Sequence, residues 1–424
     1  MDEYRGIDYL RDKLLQKQTR VRLRYRIYDM KEHRTRGRLS TLPPWLDGAY
    51  ISTVGWNTKS VDALADRLVF RGFREETDVY GAMDIFRQNN PDVFFDSVIR
   101  ESLIASCSFI QIAHGDGTNI PKLSVLTADN ATGIVDEQTG FLREGYAVLD
   151  RDRQGMPTQE AYFTKETTTY LRKGEIVTEK NPAGIPLLVV APYRPDSKRP
   201  FGHSRITRST MGYQASAQNT LERAEVSAEF YSYPQRYVSG LSPDADPLVQ
   251  WKAVMSSFIT FDKDEDGDKP TVGQFQQQSM TPYIEQLKAF ASMFAGETGL
   301  TLDDLGFVTD NPSSAEAIKA SHESLRLIAR RAQRVYGSTF CRAGFLAACV
   351  RDDFAYDPVL IADMVPEWEP VFEPDASALS TVGDGAIKIN QAVPGYFNRD
   401  NLRQLTGIEA EPEPISIEEE VAEE

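Results

Sequence analysis

Apolar residues at three- and four-residue steps open the chain. Ile7, Leu10, Leu14, Val21, Tyr25 and Tyr28 share one helical face, although Arg20–Ile27 (RVRLRYRI) taken alone alternates like a strand. The period sustained over many turns outweighs the short alternation, and it predicts a helix over residues 1–30 with a basic outer face running from Lys13 to Arg38. Such a face is either solvated or set against DNA or an acidic neighbour. Pro43, Pro44 and Gly48 break the chain. A helix over Asn57–Leu68, a short strand in LVFRGFR, and helices over Asp78–Gln88 and Pro91–Ala105 follow, the last two hinged at Asn90-Pro91, where proline suits a first helical turn. From Cys107 to Pro192 the period drops to two. CSFIQIA and KLSVLTA flank an HGDG turn as a hairpin, and GYAVLD, EAYFTKETTTYLRKGEIVT and PLLVVAPY continue as strands between Gly, Asn, Asp and Pro turns.

The second half returns to helices. Ser209–Tyr231 is rich in small residues (Ala215, Ala217, Ala224, Ser227, Ala228) and reads as a helix packed on more than one side, ended by Pro234. Asp246–Ser256 is a short helix carrying Trp251, and SFITFDKDEDGDKPTVGQF reads as two strands around an acidic turn. A helix from Thr281 places Tyr283, Ile284, Leu287, Phe290 and Phe294 on one face, with Gly296 as its expected C-terminal cap. The next helix starts at Ser313, whose spacing to Glu316 forms a capping box. Its apolar face holds Ile318, Leu325, Ile328, Ala332, Val335 and Tyr336, while Lys319, Arg326, Arg330 and Arg334 fall into one cationic stripe. It is expected to run past Gly337 and Gly344 to Val350, kinked there. MVPEWEPVF is extended, and helices over Asp375–Ala392 and Asn398–Leu405 close the fold before a tail, Glu409–Glu424, with eight glutamates and no base, expected to be disordered.

Composition narrows the class. A chain of 424 residues holds two or three cores, and 41% hydrophobic with 26% charged residues is ordinary for a folded soluble protein. No apolar run reaches the roughly 20 residues needed to span a bilayer, and MDEYRGIDYL has no signal-peptide core, so the expected product is cytosolic and makes no membrane contact. Cys107, Cys341 and Cys349 match no zinc spacing, and with four histidines (His33, His114, His203, His322) they read as buried thiols rather than ligands. A net charge of −16 argues against tight phosphate gripping, though not against a channel through which DNA slides.

Catalytic motifs are weak. Asp262, Asp264, Asp266, Gly267 and Asp268 copy the first half of a calcium loop, but the twelfth position is Gly273 rather than Glu; the expected state is a solvated acidic turn, with cation binding as the lesser reading. His114-Gly115-Asp116-Gly117 is turn chemistry. There is no GxSxG, P-loop or GxGxxG sequence. No cofactor or metal is expected, and the chain is not expected to be an enzyme.

Several segments, in order, resemble the portal proteins of tailed phages, specifically those of siphophages. NPAGIPLLVVAPYRPDSKRPFGHSRITR carries Asn181, Gly184, Pro186, Gly202 and Ser204 in the pattern that leads into a stem helix; AEVSAEFYSYPQRYVSG is similar to the passage from stem to clip; GETGLTLDDLGFVTDNPSSAEAI is similar to the tunnel region; AIKINQAVPG resembles the last wing helix. The resemblance implies an α+β portal fold: an α/β wing (1–208), stem helices (209–233 and 281–296), a small α/β clip (234–280), a tunnel loop (297–312), and a long kinked helix with the C-terminal wing (313–408). It implies a ring of subunits, commonly twelve, at one capsid vertex of the virion, assembled in the host cytoplasm, passing double-stranded DNA. Expected partners are the terminase large subunit, a head–tail adaptor, and the major capsid and scaffolding proteins. Leu302, Asp303, Asp304, Leu305 and Phe307 would line the bore, and Trp251, Phe258 and Phe261 would dock partners at the clip. Lys319, Arg326, Arg330 and Arg334 would meet DNA or a neighbouring subunit. The alternatives are a metal-dependent nuclease of the packaging machinery, suggested by the Asp-rich turn and basic helix, and a capsid scaffold or adaptor without a channel.

Overall fold

The computed structural model describes residues 4–32, 52–115, 119–172, 174–232, 236–239, 271–274, 279–307, 322–372, 376–398 and 401–402. It is a mixed α+β structure whose chain divides into two compact units. One takes Met1–Arg22, Val61–Arg205 and His322–Glu424; the other takes Leu23–Ser60 and Ile206–Ser321.

The first unit is built on sheets. Helix α1 (Ile7–Tyr28) confirms the long-period reading of the N-terminus. Strands β4 (Ala131–Val135), β5 (Leu142–Arg151), β6 (Pro157–Phe163), β7 (Thr167–Arg172) and β8 (Glu175–Lys180) make an antiparallel sheet in chain order. Leu10 and Leu14 of α1 pack against Tyr146 and Val148 of β5, with Ile7, Ile134 and Tyr162 around them. Charges fasten the same contact. Arg11 pairs with Glu160 at 2.7 Å, and Arg22 lies 3.6 Å from Asp129. The fully buried Glu144 accepts the N–H groups of Arg5 (2.9 Å) and Gly6 (3.1 Å) just ahead of α1, together with the Tyr162 hydroxyl (2.7 Å). A carboxylate placed there satisfies amides that a helix start leaves without intrahelical partners.

A second sheet has the order β3 (Lys122–Thr127), β2 (Cys107–Ala113), β9 (Leu188–Pro192). The expected hairpin pairs Ser108 with Thr127 through Ala113 with Lys122. The central strand β2 is buried along nearly its whole length, so both of its faces are covered; helices α4 (Pro91–Ala105) and α7 (Glu323–Asp352) pack against it. Ahead of α4 come α2 (Trp56–Ala65), β1 (Phe70–Phe73) and α3 (Ala82–Arg87). Helix α3 starts four residues later than its pattern predicts, because Asp78 caps it from outside: its carboxylate takes the N–H groups of Ala82 and Met83, both at 2.8 Å.

Helix α7 organises the aromatic core. Phe340 lies 4.9 Å from Phe70 and 4.8 Å from Phe95, and Trp368 of β12 (Pro366–Trp368) lies 5.1 Å from Phe70. The glycines at which a kink is expected sit inside one continuous helix and admit close packing. A Cβ on Gly337 would come within 2.8 Å of Pro366, and one on Gly344 within 2.8 Å of Ala82 and 2.9 Å of Phe86. The three cysteines are buried and form no disulfide, and burial pushes Cys341 and Cys349 up to about 12. Helix α8 (Ala376–Ala392) follows.

The second unit holds two long helices, α5 (Arg208–Ser232) and α6 (Thr281–Thr298), with a short ribbon of β10 (Arg236–Ser239) paired antiparallel to β11 (Thr271–Gln274). The predicted helix over Asp246–Ser256 and the acidic turn at Asp262–Asp268 lie outside the described residues. Among the described residues, no helix is long and apolar enough to cross a membrane.

Candidate functional site: the helix pair, its loop and the basic helix

Helices α5 and α6 run antiparallel. Thr207 just before α5 reaches Glu297 (3.4 Å), Thr220 reaches Gln286 (3.3 Å) and Ser227 reaches Tyr283 (3.2 Å), so the paired numbers fall on α6 as they rise on α5. Their contact is built from small and hydroxylated residues. Thr210, Ala217 and Thr220 of α5 and Ala291, Phe294, Ala295 and Thr298 of α6 are buried. The hydroxyls of Thr220 and Thr298 bond to carbonyls one turn back in their own helices (3.0 and 2.8 Å), which lets the backbones approach without orphaned donors. Ala215, Ala224, Ser227 and Ala228 are half-buried. At one end Trp56 packs against Phe294 at 5.6 Å, and Gln214 accepts both the backbone (2.9 Å) and the side-chain (2.7 Å) N–H of Asn57.

Helix α6 does not stop at Gly296, the expected cap. It continues to Thr298, and Gly299 ends it at φ 73, its N–H returning to the Ala295 carbonyl at 2.8 Å. The left-handed conformation is needed at 299, where glycine adopts it without strain; at 296 the backbone is ordinary helix. The candidate loop that follows is an ordered turn. Leu302 accepts N–H groups from Leu305 and Phe307, each at 3.0 Å, around a 3-10 turn over Asp303–Leu305. Its two acids differ. Asp304 faces back, accepting the backbone and hydroxyl of Thr301, both at 2.9 Å, while Thr301 Oγ1 accepts the Asp304 N–H at 3.2 Å. Asp303 is exposed, and Leu302, Leu305 and Phe307 are half-buried. Of the five bore candidates, Asp303 presents an exposed carboxylate with no ion-pair partner among the described residues, and Asp304 shapes the turn.

The cationic stripe lies on α7, in the first unit. Arg326 is engaged by Glu323 in a two-pronged pair, 2.7 and 2.8 Å, and that bond holds the Glu323 carboxyl below its usual range. Arg330 and Arg334 are exposed, and among the described residues neither has an ion-pair partner. The structure adds two residues that the sequence reading passed over: Arg331 and Leu327, the latter 56% exposed, which share this face. Their spacing from Arg334 (three and seven residues) was the available signal. Lys319, the Ser313–Glu316 box, and Trp251, Phe258 and Phe261 lie outside the described residues. The basic face of α1 is largely spoken for internally: besides Arg11 and Arg22, Arg26 pairs with Glu32 at 2.8 Å, and Lys13 donates to the Gly133 carbonyl at 2.6 Å, with burial pulling its amine down. His203 meets Asp196 at 2.7 Å in an exposed turn. Among the described residues no cluster of His, Cys, Asp or Glu could hold a metal ion.

No protein-family model matches the chain. It is similar to the portal protein of Mycobacterium phage D29, 25% identical over 380 residues that cover 84% of this chain and 76% of that protein. The portal protein of Mycobacterium phage L5 is 23% identical over 376 residues, 83% of this chain and 75% of its own length. Among solved structures, a subunit of the neck of a native gene transfer agent particle computed with C12 symmetry matches with TM-score 0.47 and 13% identity, covering 91% of this chain and 98% of that one. A chain of the native gene transfer agent virion matches with TM-score 0.46 and 13% identity, covering 83% and 89%.

Proposed function

We propose, taking as premise that this chain is a relative of tailed-phage portal proteins, that it is a structural subunit of the virion and not an enzyme, closing with its copies into a ring at one capsid vertex. Twelve copies is the expected number. The ring passes double-stranded DNA during packaging and ejection, and it docks the terminase large subunit and later the head–tail adaptor. The observation that carries this reading is the similarity to portal proteins over four-fifths of the chain, in one collinear run. The local physics agrees. Helices α5 and α6 supply a stem whose small residues permit close packing, and the loop at Leu302–Phe307 closes it. A conduit must guide a duplex without gripping phosphates, and an exposed Asp303 beside half-buried apolar side chains offers contact without a cationic hold. On this reading residues 1–208 and 351–408 form the wing, 234–280 the clip with Trp251, Phe258 and Phe261 as docking side chains, and 297–312 the tunnel loop.

Negative-stain electron microscopy of the purified protein tests the proposal. Closed annuli with an open centre are expected. A strict monomer at high concentration and in assembled capsids, or a particle plugged in every state, would overturn it.

A further inference from the structure

The exposed face at the start of α7 has a complement on the same unit. Leu327, Arg330, Arg331 and Arg334 follow three- and four-residue steps, so they form one surface stripe. The stripe sets three exposed arginines beside one exposed leucine, and arginine is among the residues enriched at protein interfaces.

The complement follows the C-terminus of α7. Asp353 closes the helix in the left-handed conformation at φ 52. Beyond it the chain alternates: the rings of Phe354 and Tyr356 turn onto Phe345 (5.8 and 5.3 Å), while Asp353 and Asp357 remain exposed. Tyr356 is pinned further by its N–H to the Ala183 carbonyl at 2.9 Å. Asp357 accepts the Val359 N–H at 2.9 Å, and Val359 and Leu360 stand 73% and 45% exposed. The nearby cations are engaged elsewhere: Arg351 by Asp352 at 2.6 Å, Arg342 over the Phe141 ring at 4.8 Å. One patch is therefore basic with an exposed leucine; the other is acidic with an exposed valine and leucine.

The two cannot neutralise each other within one chain. An α-helix rises 1.5 Å per residue, so Arg334 and Arg330 stand about 16 and 22 Å along the axis from Phe345, where the acidic segment is anchored. Two different patches of opposite charge, set apart along the unit, can meet in a head-to-tail contact, the kind that closes a ring when the rotation between subunits closes.

We infer that the Leu327–Arg334 face of α7 docks a second copy of this chain through that copy's Asp353–Leu360 segment. This rests on the ring reading and names the residues that hold neighbouring subunits together. The stripe is thus an inter-subunit surface and not a phosphate contact.

Charge reversal tests it, with particle mass measured by native mass spectrometry and light scattering, and circular dichroism checking the fold. Arg330→Glu with Arg334→Glu should weaken each contact by ~10-fold or more, the scale of a close charge pair, and shift rings toward small species; Asp353→Lys with Asp357→Lys should do the same. The four changes combined in one chain should restore rings. If the parent forms rings and each two-residue variant assembles like it, the inference is overturned while the ring reading stands. The same holds if those variants assemble normally yet bind duplex DNA more weakly, or if the combined variant stays dissociated. A parent that forms no ring overturns both.

Discussion

The two units hold themselves together with different proportions of aromatic and small, hydroxylated residues. The first interlocks large rings: Phe70 and Phe340 lie about 5 Å apart, each within about 5 to 6 Å of both Phe95 and Trp368, and glycines on α7 admit the neighbouring elements. The second packs Thr210, Ala217, Thr220 and Thr298 between two helices and ties its end with the Asn57–Gln214 pair. Aromatic burial brings a large apolar area out of water and resists substitution through cavity formation. Hydroxyl and amide packing brings close approach and directional bonds, each worth only about 1 kcal/mol net. The difference teaches that the first unit carries its own core, whereas the helix pair, with Ile284 60% and Met293 53% exposed, is suited to gain further contacts from neighbours.

The comparison breaks most sharply at Phe340. Replacing it with alanine should cost about 3–5 kcal/mol in chemical denaturation, since a fully buried ring leaves a cavity that its aromatic neighbours cannot collapse. In the second unit, Gln214→Ala should cost about 1–3 kcal/mol by stranding the buried Asn57 amide, and hydrogen exchange at the Asn57 N–H should accelerate. Turn substitutions come next. Asp304→Ala should cost ~1 kcal/mol by removing the acceptor for Thr301, while Asp303→Ala should stay within ~0.5 kcal/mol; equal effects would refute the division of labour between the two acids.

The smallest expected effect is pH-dependent. Burial pushes the Glu160 carboxyl up, but the Arg11 and Tyr146 hydrogen bonds and the charge of Arg11 outweigh it and leave it below its ordinary value. A lowered folded value stabilises the protein above the unfolded carboxylate range, near pH 4–5, and that stabilisation is lost as pH falls through the folded value. The stability gap between the parent and Glu160→Gln should therefore be constant at neutral pH and close on acidification. A gap that widens in acid would reverse the assigned sign.

Much of the fold was legible in the chain. The long period at Ile7–Tyr28 and the shift to period two after Cys107 set helices and strands, because backbone geometry converts spacing directly into a face. The collinear portal-like segments likewise pointed to the relatives that the similarity over 84% of the chain supports. The candidate site was legible only in part: the stripe could be seen in the sequence, but not that Arg326 is spent on Glu323 or that Leu327 stands out beside Arg331.

What tertiary structure alone decided was who meets whom. Gly299 rather than Gly296 caps α6, since only the folded turn dictates which residue must take positive φ. Gly344 is fixed by Ala82 and Phe86, Arg11 by Glu160, and the amides before α1 by Glu144. Those partners lie more than a hundred residues away in sequence. Periodicity is a local property of the backbone and survives in the sequence, whereas close approach and charge neutralisation depend on contacts that exist only after the chain has folded.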